Sequence, residues 1–328
     1  MTRRAFIQTG LGLALLAHRP LQASSRLHWQ NTTFTGLGTT LSIRAAHEDA
    51  AKLDVALADA RRVVARVEDQ MSLFRPTSAI QQLNRDGMLR NPPPDLWRIL
   101  AMSQRISAQS HGAFDVTVQP LWALYAEAQK QGRLPTATEI QAARQRVGWQ
   151  HMHVSPTHVE FDKPAMCITL NGIAQGYAAD LVREQLKRSG IAHALINTGE
   201  WTSLGQAESG RDWTLGVADP RHADRLVARL RMNGLCVATS ADDQCAFSED
   251  RVHHHILNPE TGYSPSDISS VTVVAKTCAH ADALTKVLFV AGYANALHLA
   301  HTWHVEALVV HKQGRWKATS ELSRQVTA

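Results

Sequence analysis

The sequence predicts an α+β protein. Apolar residues recur at helical spacing in several long stretches, and short β-rich runs lie between them without the steady strand–helix alternation of a parallel sheet. No repeat with a period of about 20 to 50 residues is visible. The first strand is expected over residues 40–44, where side chains alternate after Gly36-Leu37-Gly38. Leu53, Leu57, Ala60, Val64 and Val67 share a helical face, so residues 49–69 should form an amphipathic helix. A second helix should start at Pro92-Pro93-Pro94-Asp95 and align Leu96, Leu100, Ser103 and Ile106. Within residues 111–132, Pro120 suits a first helical turn and Gly132 the stop. Strands are expected at 158–162, 192–197, 214–218 and 270–275, followed by a helix at 280–291 with Ala281, Leu284, Leu288 and Ala291 along one side. The polar stretch 203–212 reads as a surface loop. With no low-complexity linker, residues 24–328 should form one compact unit.

Residues 1–23 read as an export signal. Arg3 and Arg4 precede Phe6 and an apolar run at 11–17, and Leu21-Gln22-Ala23 offers small-residue cleavage after Ala23. The segment resembles a twin-arginine signal, which implies a periplasmic protein exported already folded, a route that suits a cofactor-containing enzyme. The apolar run is too short to span a bilayer, and no cysteine lies near the cleavage site, so no stable membrane anchor is expected. Removing the segment takes away Arg3, Arg4 and Arg19 and no acid, which lowers the formal charge from +5 to +2. The remainder carries no Lys/Arg block, which argues against a nucleic-acid partner. Cys167, Cys236, Cys245 and Cys278 lack CxxC spacing and so do not suit zinc; an oxidising compartment leaves room for one or two disulfides without naming the pairs.

Four segments could carry chemistry. Residues 171–177, NGIAQGY, set two glycines around a turn that opens a helix through Tyr177, Leu181 and Leu186. Such a loop presents backbone N–H groups to a phosphate, and it serves equally for close helix packing. Residues 253–262, HHHILNPETG, offer imidazoles, but neighbours on an extended chain alternate sides, so one functional histidine is the most to expect. Asp282 in HADALTK is a lone carboxylate among apolar residues and needs a partner: a cation, N-terminal amides, or Lys286 four residues on. Asp115 in GAFDVTV poses the same choice between a structural hydrogen-bonder and a ligand contact.

Taken in order, GLGTT, MSLFRPTSAIQQLN, GAFDVTVQPLWALY, LNGIAQGYAAD, ALINTGE, VATSADD, HHHILNPETGY and SSVTVVAKTCAHADALTKVLFVAG resemble the ApbE family of FAD:protein FMN transferases across residues 36–292. The resemblance implies an α+β, mixed-sheet fold with FAD held between two lobes. It also implies a Mg²⁺-dependent enzyme that uses FAD as substrate. FMN would pass to a Thr or Ser hydroxyl of an exported or membrane-bound flavoprotein, with AMP released. Carried over by position, Leu37 and Phe74 would line the flavin, Ala113, Phe114 and Asp115 would contact the nucleotide, and Asn171 to Gly176, with Gln175 among them, would cradle the diphosphate. Ile256 would also bind the cofactor. The oxygen of Ala174, with Asp282, would hold Mg²⁺, while His255 and Asp282 would be catalytic.

Thr169, Gln175 and Lys286 stand where the family has an acid, a lysine and a metal-binding threonine. Thr285 could supply the missing hydroxyl from the same helix face as Asp282. Alternatively the ammonium of Lys286 could take the cation's place, which would leave a non-catalytic periplasmic FAD-binding or flavin-delivery protein. The 17 histidines keep a periplasmic metal-binding protein as a further reading.

Overall fold

The computed structural model describes residues 27–325 apart from Asn233; the expected export signal lies outside the described residues. The chain opens with a hairpin where the sequence suggested a single strand. β1 (His28–Gly36) and β2 (Thr39–His47) pair antiparallel with Gly36 opposite Thr39. Leu37 and Gly38 therefore form a two-residue turn, with φ of 51° and 77°. Positive φ at both positions matches the turn to the strand twist, and for Leu37 it is a strained choice. The polar run in HWQNTTFTG hid β1 from the periodicity argument.

α1 (Ala50–Met71) follows, capped by Asp49, whose carboxylate accepts the Ala51 N–H at 2.9 Å. Its buried face carries the expected Leu53, Leu57, Ala60, Val64 and Val67. Next come α2 (Ala79–Asp86), β3 (Met88–Arg90), α3 (Pro94–Gln109), α4 (Gln119–Lys130), α5 (Ala137–Arg144), β4 (Met152–Val154) and β5 (His158–Phe161). Pro120 sits in the first turn of α4 as expected. The second half runs α6 (Ala174–Arg188), β6 (His193–Asn197), β7 (Trp201–Leu204), β8 (Trp213–Asp219), β9 (His222–Met232), β10 (Cys236–Ala241), β11 (Ile268–Ala275), α7 (Cys278–Thr302), β12 (Glu306–His311), β13 (Trp316–Ala318) and α8 (Ser320–Gln325).

An eight-stranded antiparallel sheet in the order β1-β2-β6-β7-β10-β11-β12-β13 forms the frame. α1, α6 and α7 cover one face. The β8–β9 hairpin covers part of the other, setting Trp213, Leu230 and Met232 against Val237, Val274 and Leu308. A separate small core joins Leu121 and Tyr125 of α4, Ile140 of α5, and Phe247 and Leu257 of the segment after β10. The fold class is α+β, as the sequence predicted, while every strand pairing among the described residues is antiparallel where a mixed sheet was expected. α7 runs past the expected end at residue 291, bends at Gly292 (φ 76°), and resumes where Asp267 accepts the Tyr293 N–H at 2.8 Å. All four cysteines are free thiols.

α6 and α7 meet at their first turns and exchange carboxylates. Asp180 of α6 accepts the N–H groups of Cys278 and Ala279, both at 2.9 Å, at the start of α7. Asp282 of α7 accepts the Gly176 N–H, at 3.1 Å, in the first turn of α6. Each helix thus receives a negative charge at its positive end from the other. The approach is close enough that a Cβ on Gly176 would drive into the backbone carbonyl of Cys278. Of the two readings of the glycine pair, packing is the right one for Gly176.

His254 is a core residue. It is fully buried, its ring lies edge-on to Phe289 with centroids 5.3 Å apart, its Nε2–H donates to the Pro265 carbonyl at 3.1 Å, and its Nδ1 accepts the Ile256 N–H at 3.3 Å. Burial, helped by the charge of Lys312, pulls its pKa down to about 4.

Two outcomes are expected. Gly176→Ala should destabilise the fold by roughly 3 kcal/mol through overpacking, despite the better helix propensity of alanine; an unchanged unfolding midpoint would remove this account of the helix contact. A histidine neutral in the fold and charged when unfolded contributes stability at neutral pH that fades as pH falls from 6.5 toward about 4. That contribution is roughly 3 kcal/mol. Thermal unfolding of His254→Gln should therefore lose less stability than the parent over that interval, and parallel pH profiles would contradict the assignment.

Candidate active site

The glycine loop is held from both sides. Before it, the amide of Asn84 clamps residue 168, accepting the Ile168 N–H at 2.7 Å and donating to the Ile168 carbonyl at 2.9 Å. Thr169 N–H donates to the Val116 carbonyl at 2.8 Å, which ties the loop to the stretch ahead of α4. Thr169 Oγ1 accepts the Asn171 N–H at 3.2 Å. After the loop, Gln175 reaches back to the Leu37 carbonyl at 3.4 Å and packs against Gly199, where a Cβ would collide with its amide. The Leu37 N–H donates to Glu68 at 2.8 Å. The strained turn of the first hairpin is thereby fixed to α1 and α6 together.

Two cavities of about 240 and 260 Å³ meet at this loop. The first is walled by Ala113, Phe114, Asp115 and Ile256, with Trp122 and Leu257 at its apolar end. The second is walled by Leu37, Phe74, Met71 and Ala174. Asn171, Gln175, Gln244, Cys245 and His255 belong to both, so the two adjoin as one cleft across a polar waist. Phe74 is 76 % exposed at its rim. All eight sequence motifs thus contribute residues to the walls of this space.

The three histidines part company along an irregular segment whose one isolated bridge pairs His254 with Ala246. His253 stacks on Tyr125 at 6.2 Å, and His254 faces the core. His255 alone faces the cleft. Its Nδ1 lies 3.2 Å from the Cys245 carbonyl, which can only accept, so Nδ1 carries the proton and Nε2 keeps its lone pair. Burial lowers its pKa to about 4, so the ring is neutral at neutral pH. Asp115 is a structural acid: Oδ1 accepts the Thr117 N–H and hydroxyl at 2.8 and 2.7 Å, and Oδ2 accepts the Trp149 N–H at 2.9 Å. It borders the cleft with each carboxylate oxygen already accepting a hydrogen bond, and burial raises its pKa.

Asp282 and Thr285 wall neither cavity. Asp282 is 1 % exposed, with Oδ2 on the Gly176 N–H and Oδ1 paired with the ammonium of Lys286. Thr285 donates to the Asp282 carbonyl at 2.6 Å and contacts Ser240 Oγ at 2.7 Å. The donor set expected for Mg²⁺, namely the Ala174 oxygen, Asp282 and Thr285, does not fit a divalent ion as it stands. Both carboxylate oxygens of Asp282 are engaged, one by a cation, and Thr285 turns its hydroxyl into its own helix. Thr285 is thus engaged as a hydrogen-bonder between its own helix and Ser240. Among the described residues no group of three or more His, Cys, Asp or Glu is placed to hold a metal ion.

Sequence reasoning missed Glu200. It follows Gly199 (φ 97°) in the β6–β7 turn, is 6 % exposed, and accepts the Thr239 N–H at 3.0 Å at the wall of the first cavity. Burial first, and then the charge of Asp282, push its pKa well above the usual carboxylate range, against the pull of Lys286. Its signal was present in ALINTGE, an acid closing an apolar strand, but only the fold brings it to Lys286. Trp122, Leu257 and Ser240 were likewise invisible, since nothing local separates a cleft wall from a core.

The chain matches the ApbE family over residues 37–309. An FAD:protein FMN transferase of Vibrio cholerae is 29% identical over 260 residues, 76% of this chain and 78% of that protein. The apo crystal structure of Pseudomonas stutzeri flavinyl transferase ApbE superposes with a TM-score of 0.81 at 27% identity, covering 92% of this chain and 98% of that one. The ApbE protein of Thermotoga maritima gives 0.83 at 24% identity, a likeness of fold, over 92% of this chain and 100% of that one. With more than half its length matched, and with the cleft built from the motifs that first suggested it, this chain belongs to the ApbE family.

Proposed function

We propose that the chain is a flavin transferase that moves FMN from FAD to a Thr or Ser hydroxyl of an exported or membrane-bound flavoprotein, releasing AMP. The observation that carries this reading is the two-ended cleft. Its two apolar ends suit the two ring systems of FAD, and its waist of Asn171, Gly172 and Gln175 suits the diphosphate between them. Leu37 and Phe74 line the isoalloxazine end, Ala113, Phe114 and Ile256 the adenosine end, and Asp115 holds the wall of that end through its backbone contacts.

In the reaction the acceptor oxygen forms a bond to the FMN phosphorus as the P–O bond to AMP breaks. The hydroxyl proton passes to a base, and AMP leaves with the bonding pair on its phosphate oxygen. His255 borders both ends of the cleft, and its Nε2 is the lone pair offered to that proton. Positioning and charge stabilisation supply most of the rate in such transfers. Asp282 contributes through the helix junction and through Lys286. Periplasmic localisation belongs to the proposal, supported by the twin-arginine pattern of residues 1–23. A second reading, FAD binding without transfer, is favoured by one observation, the Lys286–Asp282 pair in the place of a metal ligand set.

Incubation with FAD and a membrane flavoprotein acceptor domain should add the mass of one FMN to the acceptor. A flavin-loaded protein that leaves unmodified an acceptor which another ApbE-family transferase does modify would favour the second reading. His255→Ala should slow transfer about 100-fold, the scale of general base catalysis, while flavin binding persists. Undiminished transfer by that variant would remove the histidine from its role.

A further inference from the structure

Lys286 is the one Lys or Arg among the described residues that wall the first cavity. Its ammonium pairs with Asp282 Oδ1 and lies 3.2 Å from the Asp282 carbonyl. An ammonium has three N–H donors, so these contacts leave one for a ligand. Its side chain is 19 % exposed, and that exposure is toward the cavity. The stem lies along the glycine loop: a Cβ placed on Gly172 would be 3.1 Å from Lys286 Cε. Gly172 thus keeps the loop low enough for the cation to stand beside the waist of the cleft. Asp282 is in turn fixed by the Gly176 N–H, so the charge is held by a carboxylate that cannot rotate away.

We propose that Lys286 is the built-in counter-cation of the diphosphate site, giving its remaining N–H to a phosphate oxygen of FAD, so that binding and transfer proceed without a divalent ion. This rests on the reading of the cleft as an FAD site. In the transfer step the ammonium faces the charge that gathers on the phosphate oxygen of AMP as the P–O bond breaks. Asp282 positions the ammonium and does not touch the substrate. An ammonium on a fixed carboxylate gives one directed hydrogen bond, where a hard divalent ion would gather several oxygens.

The test is flavin-fluorescence titration of the full chain with FAD and with riboflavin, which has no phosphate, in EDTA and in excess magnesium. Asp282→Asn/Lys286→Met removes both charges together, so that neither is left buried and unpaired. The parent should bind FAD equally in EDTA and in magnesium. The double variant should bind FAD about 10- to 100-fold more weakly, the loss expected for one charge-assisted hydrogen bond, and should bind riboflavin as the parent does. Binding of FAD by the parent only with magnesium would overturn the proposal and leave the transferase reading intact. Equal FAD affinity of variant and parent, or an equal loss for riboflavin, would also overturn it. No FAD bound by the parent under either condition would overturn the proposal together with the FAD-site reading on which it rests.

Discussion

The junction of α6 and α7 is the constraint from which the site follows. Two helix N-termini approach closely enough to trade carboxylates, Asp180 for Asp282, and the approach depends on a glycine at position 176. Helix starts are ordinarily satisfied by a residue just before them. Here Ile173 and Thr277 make no side-chain cap, and each helix borrows its acid from the other. The arrangement welds the glycine loop, which leads into α6, to Lys286, one turn along α7 from Asp282.

Buried charge is costly unless paired, and this interior holds Asp282, Glu200 and Lys286 within one neighbourhood. The pairing of Lys286 with Asp282 and the shift of Glu200 toward its neutral form are two responses to that cost. The Asp282–Lys286 pair consequently brings no net charge of its own to the cleft waist before a ligand enters. A diphosphate meets directed donors and one partly committed ammonium, which ties affinity to geometry more than to long-range attraction.

The cleft itself depends on the outer frame. The β1–β2 turn reaches the site only because Glu68 of α1 and Gln175 of α6 hold the two backbone groups of Leu37. The small core around Tyr125 and Phe247 stands Trp122 and Leu257 opposite the glycine loop. Separate cores on the two sides of a cleft leave room for a bound ligand to complete the packing.

By itself the sequence determined the helices with strong periodicity, the α+β class and, through the order of its motifs, the family. α1 was legible because five apolar residues repeat at one spacing, and α4 because Pro120 and Gly132 mark its limits. His255 was legible only as one of three adjacent imidazoles, and which of them faces the cleft was decided by the fold. Tertiary structure decided the rest. β1 carries too little apolar alternation to declare itself, and the bend of α7 at Gly292 needs Asp267 from a neighbouring segment. Whether Asp115 was structural, Gly176 a packing glycine, and Thr285 or Lys286 the partner at Asp282 turned on which groups stand within about 3 Å of one another. Periodicity reports only which face of an element is buried; what that face meets, and hence whether a buried charge is paired with an ammonium or left for an ion, is settled where chain segments distant in sequence come together.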